Sequence, residues 1–170
     1  YGNAGMLARA AIVPVSTPGL LNKIPRMLLD PYRPLFVKWS YLPKLLPWLI
    51  PFLKSGSINQ LKDIVASLDS LTNDSVEQHL SLANGTGAEK FIRKGSFGFL
   101  YPDEQAFIDD KLGIDIKRKY GYQYKKISRS GILRIDKNIS DKYNCAAVFE
   151  DHGWITDPAK YLKALFEYYK

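Results

Sequence analysis

The side chains best suited to acid–base or nucleophilic chemistry are few in this sequence: two histidines, His79 and His152, and one cysteine, Cys145. His152 stands in the run Asp-His-Gly-Trp at residues 151–154, between a predicted strand and a predicted helix. Ligands and catalytic groups of α/β folds often lie where a strand ends, so His152 is a candidate site residue. A turn histidine bonded to nearby backbone is the other interpretation. His79 is predicted to lie on a helix, as a surface or boundary side chain.

Common catalytic motifs are absent from the 170 residues. Neither histidine has a neighbour at metal-ligand spacing, so no metal site is predicted. The nucleophile motif Gly-x-Ser-x-Gly, the P-loop and the dinucleotide motif Gly-x-Gly-x-x-Gly do not occur. A single cysteine without a clear partner base is weak support for a nucleophile. The catalytic residues are therefore unknown from the motifs alone.

The chain opens on a glycine-rich turn, Tyr-Gly-Asn-Ala-Gly at residues 1–5, and runs straight into a proline-rich apolar stretch. Gly2 and Gly5 would let the backbone approach another group closely. The run has no signal-peptide charge pattern, and the sequence itself offers no group for it to approach. We therefore expect that residue 1 is not the natural start of the protein.

The composition is that of a globular protein with a basic surface. Hydrophobic residues make up 46% of the chain and aromatic residues 13%, which argues against disorder. One cysteine excludes an internal disulfide and fits a reducing compartment. The net charge is +7, and its densest run is Lys-Arg-Lys at residues 117–119. That run is predicted to be a solvated helix end, and no specific nucleic-acid binding is expected because no recognition motif occurs.

Three segments follow one another along the chain. Residues 1–54 hold eight of the ten prolines, which excludes a long uninterrupted helix and leaves short helical turns near residues 20–29 and 41–53. Residues 55–93 are predicted to be helical from the spacing of their apolar residues. Residues 94–170 alternate strands with helices. The predicted strands of this last segment cover residues 95–101, 122–126 and 145–150.

Capping residues mark several predicted helix ends. Thr86 and Glu89 form a capping-box pattern that predicts a short helix. Asp157 before Pro158 predicts the start of the last helix. A single helix is predicted over residues 103–120. Its apolar stripe would consist of Ile108, Leu112, Ile116 and Tyr120.

The apolar run from Leu42 to Leu53 invites a membrane interpretation. Its 12 residues fall short of the about 20 that a spanning helix needs, and it contains Lys44 and three prolines. Two alternatives stay open. The run could bury against its own protein, or it could lie at a membrane surface with Trp48 and the lysines at headgroup level.

Several stretches together resemble the bacterial D-amino acid dehydrogenases, FAD-dependent oxidoreductases of the D-amino acid oxidase superfamily. The resemblance rests first on residues 2–7, Gly-Asn-Ala-Gly-Met-Leu, on residues 14–21 and on residues 41–49. It continues over residues 85–89, 95–101 and 151–158, in the same order along the chain. The first stretch is quite specific, whereas the later helices are generic.

The resemblance implies a fold and a place in a larger protein. The fold would be mixed α/β (α+β): the middle portion of a two-domain FAD-dependent oxidoreductase, with a helical segment and part of the substrate-domain sheet. The βαβ unit with the dinucleotide motif would precede Tyr1, and the final portion of the family would follow Lys170. Residues 1–54 would then hold the flavin-proximal turn, residues 55–93 the helical segment, and residues 94–170 the substrate-domain strands and helices.

The resemblance also implies roles for a few residues. Asn3, Ala4, Gly5 and Met6 match the turn that contacts FAD, and His152 would lie near the substrate cavity or shape the turn there. The activity implied is oxidative deamination of a D-amino acid or related amine, by hydride transfer from the substrate Cα to the flavin.

The implied partners extend to the respiratory chain. Electrons would pass to a respiratory acceptor such as a quinone, with peripheral membrane contact through residues 42–53. The protein would be cytoplasmic or peripheral on the inner face of the cell membrane. The alternative is a stand-alone interaction module that derives from a flavoprotein and has no activity of its own.

Overall fold

A computed structural model describes residues 5–29 and 36–170 of the chain. The predicted cofactor residues Asn3 and Ala4 lie outside these ranges. The chain forms two compact units. One contains residues 5–12 together with 69–170, and the other contains residues 13–68. The threefold division of the sequence stays a prediction.

The first unit is built on an antiparallel sheet with one central strand. Its strands are β1 (Met6–Leu7), β2 (Ile92–Tyr101), β3 (Tyr124–Ser128) and β4 (Cys145–Ile155). β2 pairs with β4 along nearly its whole length, while β1 and β3 pair with different parts of the other edge of β4. The predicted mixture of helices and strands is confirmed.

A bulge interrupts the pairing of β4 with β2. Gly95 lies opposite His152 and Phe97 lies opposite Phe149, so Glu150 and Asp151 together face one residue of β2. Asp151 has a φ of 61°, a conformation that few non-glycine residues adopt. β4 continues past the bulge to Ile155. The prediction that the strand ends at Glu150 and that His152 follows it is therefore wrong, because β1 supplies a second pairing partner beyond the bulge.

The two buried clusters of the first unit lie on opposite faces of the sheet. Ile92 and Tyr101 are nine residues apart in β2, so their side chains point to opposite faces. The cluster with Ile92 comprises Leu7, Val76, Ala83, Ala88, Ile92, Ile155 and Tyr161. The cluster with Tyr101 comprises Ala10, Tyr101, Ile114, Cys145, Ala147 and Phe149. Each end of the sheet is thus packed on a different side.

Helices fill in around these clusters. They are α4 (Ser75–Ala83), α5 (Glu104–Asp109), α6 (Lys111–Lys119), α7 (Arg129–Ile135) and α8 (Pro158–Tyr169). The predicted start of the last helix is confirmed, since the Asp157 side chain accepts a hydrogen bond from Lys160 N at 3.0 Å. The capping-box segment forms only a short 3₁₀ helix, Glu89–Phe91, before β2 begins.

The prediction of a single helix over residues 103–120 is wrong. It is divided into α5 and α6 at Asp110, whose carboxylate accepts a hydrogen bond from the Tyr101 hydroxyl at 2.6 Å. The buried residues of α6 include Ile114 and Lys117, whereas Ile108 of the predicted stripe is 50% exposed. The break turns α6 so that a different face meets the sheet.

The described part of the second unit is helical. Its helices are α1 (Leu20–Leu29), a 3₁₀ helix (Trp39–Tyr41), α2 (Leu42–Ser55) and the larger part of α3 (Ile58–Thr72). Ser16, which is 3% exposed, donates a hydrogen bond to Phe52 O at 2.7 Å. No described helix is long and apolar enough to cross a membrane.

α2 corrects the prediction that prolines confine this segment to short turns. It runs for 14 residues with Pro47 and Pro51 inside it. Pro43 lies in the first turn, where a backbone N–H has no helical acceptor anyway. Because the three prolines recur every four residues, the missing hydrogen bonds fall along one side of the helix.

Candidate functional site

Gly5 joins the start of the chain to β4 at very short range. Ile155 N donates a hydrogen bond to Gly5 O at 2.6 Å, and Gly5 has a φ of 74°. A Cβ at this position would lie 2.3 Å from Ile155 O. The close approach that the sequence predicts at Gly5 is therefore made to the backbone of β4, which requires glycine by itself. Contact of Gly5 with a cofactor stays a prediction.

Met6 and Trp154 form a half-exposed apolar pair beside Gly5. They lie opposite one another in the β1–β4 pairing, so their side chains share a face of the sheet. Met6 is 46% exposed and Trp154 is 38% exposed. The Trp154 ring lies over Gly95, where a Cβ would come within 2.5 Å of it. The pair therefore leaves an apolar surface exposed beside Gly5.

His152 is buried in β4, with 1% of its surface exposed. Its Nε2 lies 3.3 Å from Ala10 N and its Nδ1 lies 2.9 Å from Glu150 O. Since Ala10 N–H can only donate and a carbonyl can only accept, the proton is on Nδ1 and the ring is neutral. Burial lowers the pKa of His152, which favours this neutral form. The ring also stacks on Phe97 at a centroid distance of 5.8 Å.

Arg9 binds the residues after β1 to two other parts of the first unit. Its Nε donates to Asn73 O, and its Nη1 lies 3.5 Å from Asp151 O. The Thr72 hydroxyl donates to Arg9 O at 3.1 Å. The segment from Gly5 to Ala10 is thereby attached to the α3–α4 corner and to the β4 bulge.

A polar pocket of about 340 Å³ lies beside the bulge, and Arg9 and Asp151 are among its lining residues. The Tyr122 hydroxyl, also in its lining, donates to Asp69 Oδ1 at 2.6 Å. Burial, with this hydrogen bond, raises the pKa of Tyr122. Glu150 adds a third carboxylate to the lining. The pocket thus offers one guanidinium among several acidic groups.

The other two candidate side chains are part of the packing. His79 is half-buried within α4, and its Nδ1 lies 2.8 Å from the Tyr161 hydroxyl, which agrees with its prediction as a surface or boundary side chain of a helix. Cys145 is buried and its Sγ lies 3.5 Å from Asp103 O. Burial raises the pKa of the Cys145 thiol, so it is a poor nucleophile. Among residues 5–29 and 36–170, no group of three or more His, Cys, Asp or Glu side chains could hold a metal ion.

The burial of Lys117 was not predicted, because the basic run at residues 117–119 was expected to be a solvated helix end. It is 4% exposed, and its Nζ lies 4.1 Å from the centroid of Phe99 and 5.5 Å from that of Phe149. Burial lowers the pKa of Lys117, and the charge of Asp110 opposes that shift. The alternating aromatic residues of β2 were the only signal for this cation–π contact.

Curated relatives match nearly the whole chain. A D-amino-acid oxidase of Bradyrhizobium diazoefficiens is 32% identical over 166 residues, which cover 97% of this chain and 39% of the relative. A D-amino acid dehydrogenase of Phenylobacterium zucineum is 24% identical over 78% of this chain and 31% of the relative. A D-amino acid dehydrogenase of Helicobacter pylori is 21% identical over 99% of this chain and 40% of the relative. The resemblance predicted from the sequence is confirmed.

The chain spans about two fifths of the length of the first of these relatives. No protein-family model matches it, and no solved structure does.

Proposed function

We propose that this chain forms part of an FAD-dependent oxidoreductase that oxidises D-amino acids. The observation that carries the proposal is the 32% identity to a D-amino-acid oxidase over 97% of the chain. Two further relatives named D-amino acid dehydrogenase cover 78% and 99% of it.

The surface beside β1 is compatible with the flavin. Residues Asn3 to Met6 would hold it, and the exposed Met6–Trp154 pair would cover one side of an aromatic ring. Gly5 keeps the backbone of this turn against β4, so the turn has a defined anchor. The residues described are therefore compatible with an aromatic ring stacked on the Met6–Trp154 pair.

The bound flavin would accept a hydride from the substrate Cα. The substrate would lose this hydride and a proton from its amino group, and water would then hydrolyse the imino acid to a 2-oxo acid and ammonia. The residues of this chain would keep the cofactor turn in place and keep the Met6–Trp154 surface apolar. No catalytic base is assigned to any residue of the chain.

We further propose that electrons leave to a membrane acceptor such as a quinone, with α2 at the membrane surface. Support comes from residues 36–55, which contain three lysines and no acidic residue. α2 has no buried residue, and Trp48 and Ile50 are 59% and 48% exposed. Exposed apolar side chains flanked by lysines suit an anionic membrane surface.

The test is flavin binding and reduction by the natural full-length protein that contains this chain. We expect FAD to copurify and its visible absorbance to bleach without oxygen when a D-amino acid is added, but not with the L-enantiomer. Oxygen consumption compared with reduction of a soluble quinone then separates oxidase from dehydrogenase. A protein that neither contains nor binds FAD would overturn the proposal and favour the interaction-module alternative.

A further inference from the structure

We propose that His152 is a positioning residue: its neutral ring holds the segment Gly5–Ala10, and with it the cofactor turn, against the β4 bulge. This inference rests on the proposed flavin function. It assigns no contact between His152 and the substrate, because both ring nitrogens are already engaged by backbone groups.

The contact is made at the far end of the segment that follows the cofactor turn. Gly5 is bound to Ile155 at one end, and Ala10 N–H donates to His152 Nε2 at the other. Ala10 is 1% exposed, so its N–H has little access to water if the ring is removed. A buried N–H without an acceptor is costly, and the segment would move to satisfy it.

The protonation state of His152 decides whether this contact exists. Protonation would put a proton on Nε2, where it would face the Ala10 N–H donor. The neighbouring charges are Arg9, whose charge disfavours the imidazolium, and Asp151, whose charge favours it. Farther out, Glu77 lies between Arg9 and Lys94, at 3.9 and 3.8 Å. On the β2 side the ring meets Phe97, which carries no charge to stabilise the imidazolium.

The sign of the pH effect follows from this geometry. Because the folded state lowers the pKa of His152, the contact is complete above the ordinary histidine value of about 6.5. It is lost as the pH falls through the lower pKa of the folded protein, at which the ring takes up a proton. The flavin should therefore bind more weakly in mild acid.

The experiment compares FAD affinity of the natural full-length protein with that of H152Q and H152L, between about pH 8 and about pH 5. A glutamine can accept from Ala10 and donate to Glu150 without titrating. We expect the wild-type affinity to fall in acid, H152Q to bind with a nearly flat pH profile, and H152L to bind about tenfold more weakly throughout. H79Q, at the other histidine, is the control and should keep the wild-type profile.

Two results would overturn the inference: an unchanged acid loss in H152Q, or wild-type affinity in H152L. Hydrogen exchange of the peptide that contains Ala10 is the second readout, measured on the same proteins. If the wild-type protein binds no FAD, the proposed function fails. The exchange data still test the contact itself, because protection of Ala10 that does not depend on pH or on H152L would contradict it.

Discussion

Apolar side chains are buried in the central strand β4 but exposed in the helix α2. Phe149 and Ala147 of β4 are fully buried at 0% exposure. α2 is also rich in apolar residues, yet it contains no buried residue, and Trp48 is 59% exposed. Apolar content therefore does not identify the core of this protein. β4 is the buried centre of the sheet of the first unit, whereas α2 presents an exposed apolar surface.

The largest effect should come from the centre of β4. F149A removes a fully buried ring that contacts Phe99 and Tyr124, and we expect a loss of about 3–5 kcal/mol in the free energy of unfolding. Denaturant unfolding measures it. L71A, at a residue that is 75% exposed, is the control and should change stability little. A loss in F149A no larger than that of L71A would show that the ring is not part of a packed core.

The next effect should come from Gly5. G5A would force both a positive φ and a Cβ 2.3 Å from Ile155 O, so we expect a loss of more than about 2 kcal/mol. The matched control is G121A, because Gly121 has a φ of 91° and no atom near its Cβ position. Thermal unfolding is measured for both variants. G121A introduces only the strain in φ, so the additional loss of stability in G5A is the cost of the clash. Equal losses in the two variants would argue against the short contact with β4.

A smaller effect is expected at the edge of the polar pocket. Y122F removes the hydroxyl that donates to Asp69 and should cost about 1 kcal/mol. Because the pKa of Tyr122 is raised in the folded protein, its protonated hydroxyl stabilises the fold below the ordinary tyrosine pKa of about 10. This stabilisation is lost as the pH rises above that value. Stability measured against alkaline pH should therefore decline less steeply in Y122F. Y168F, at a tyrosine that is 58% exposed, should leave the curve unchanged.

Substitutions on α2 should have the smallest effect on stability. They should instead have the largest effect on binding to a membrane surface. The double variant W48S/I50S should change the free energy of unfolding by less than about 0.5 kcal/mol, because both side chains are exposed. Its binding to vesicles of anionic phospholipid should fall several-fold in cosedimentation. L71S, at an exposed leucine of α3, should bind like the wild type. Unchanged vesicle binding in W48S/I50S would remove α2 from the proposed membrane contact.

Local signals were sufficient for much of the fold. The helix start at Asp157–Pro158 depends on a cap and a proline that act within one turn. The apolar spacing of residues 55–93 likewise predicted the helix α3, in which Leu61 and Val65 are buried. The similarity to D-amino acid oxidases and dehydrogenases was also readable from short stretches, above all Gly-Asn-Ala-Gly-Met-Leu at residues 2–7.

The candidate site was less predictable, because its contacts join distant parts of the chain. His152 was expected after a strand, but β4 resumes its pairing with β2 beyond the bulge and also pairs there with β1, almost 150 residues earlier in the chain, so the strand extends past His152. Lys117 was expected in water, but the break at Asp110 turns it over Phe99. Neither outcome has a signal within one turn or one strand of the residue concerned.

The sequence by itself determined the helix caps, most of the element types and the relationship to D-amino acid oxidases and dehydrogenases. These depend on residue types and short spacings, which are written along the chain. Only the tertiary structure decided which face of α6 is buried, why Gly5 must be glycine, and which proton His152 carries. Each of these depends on a partner brought close by strand register, and register is a property of the assembled sheet.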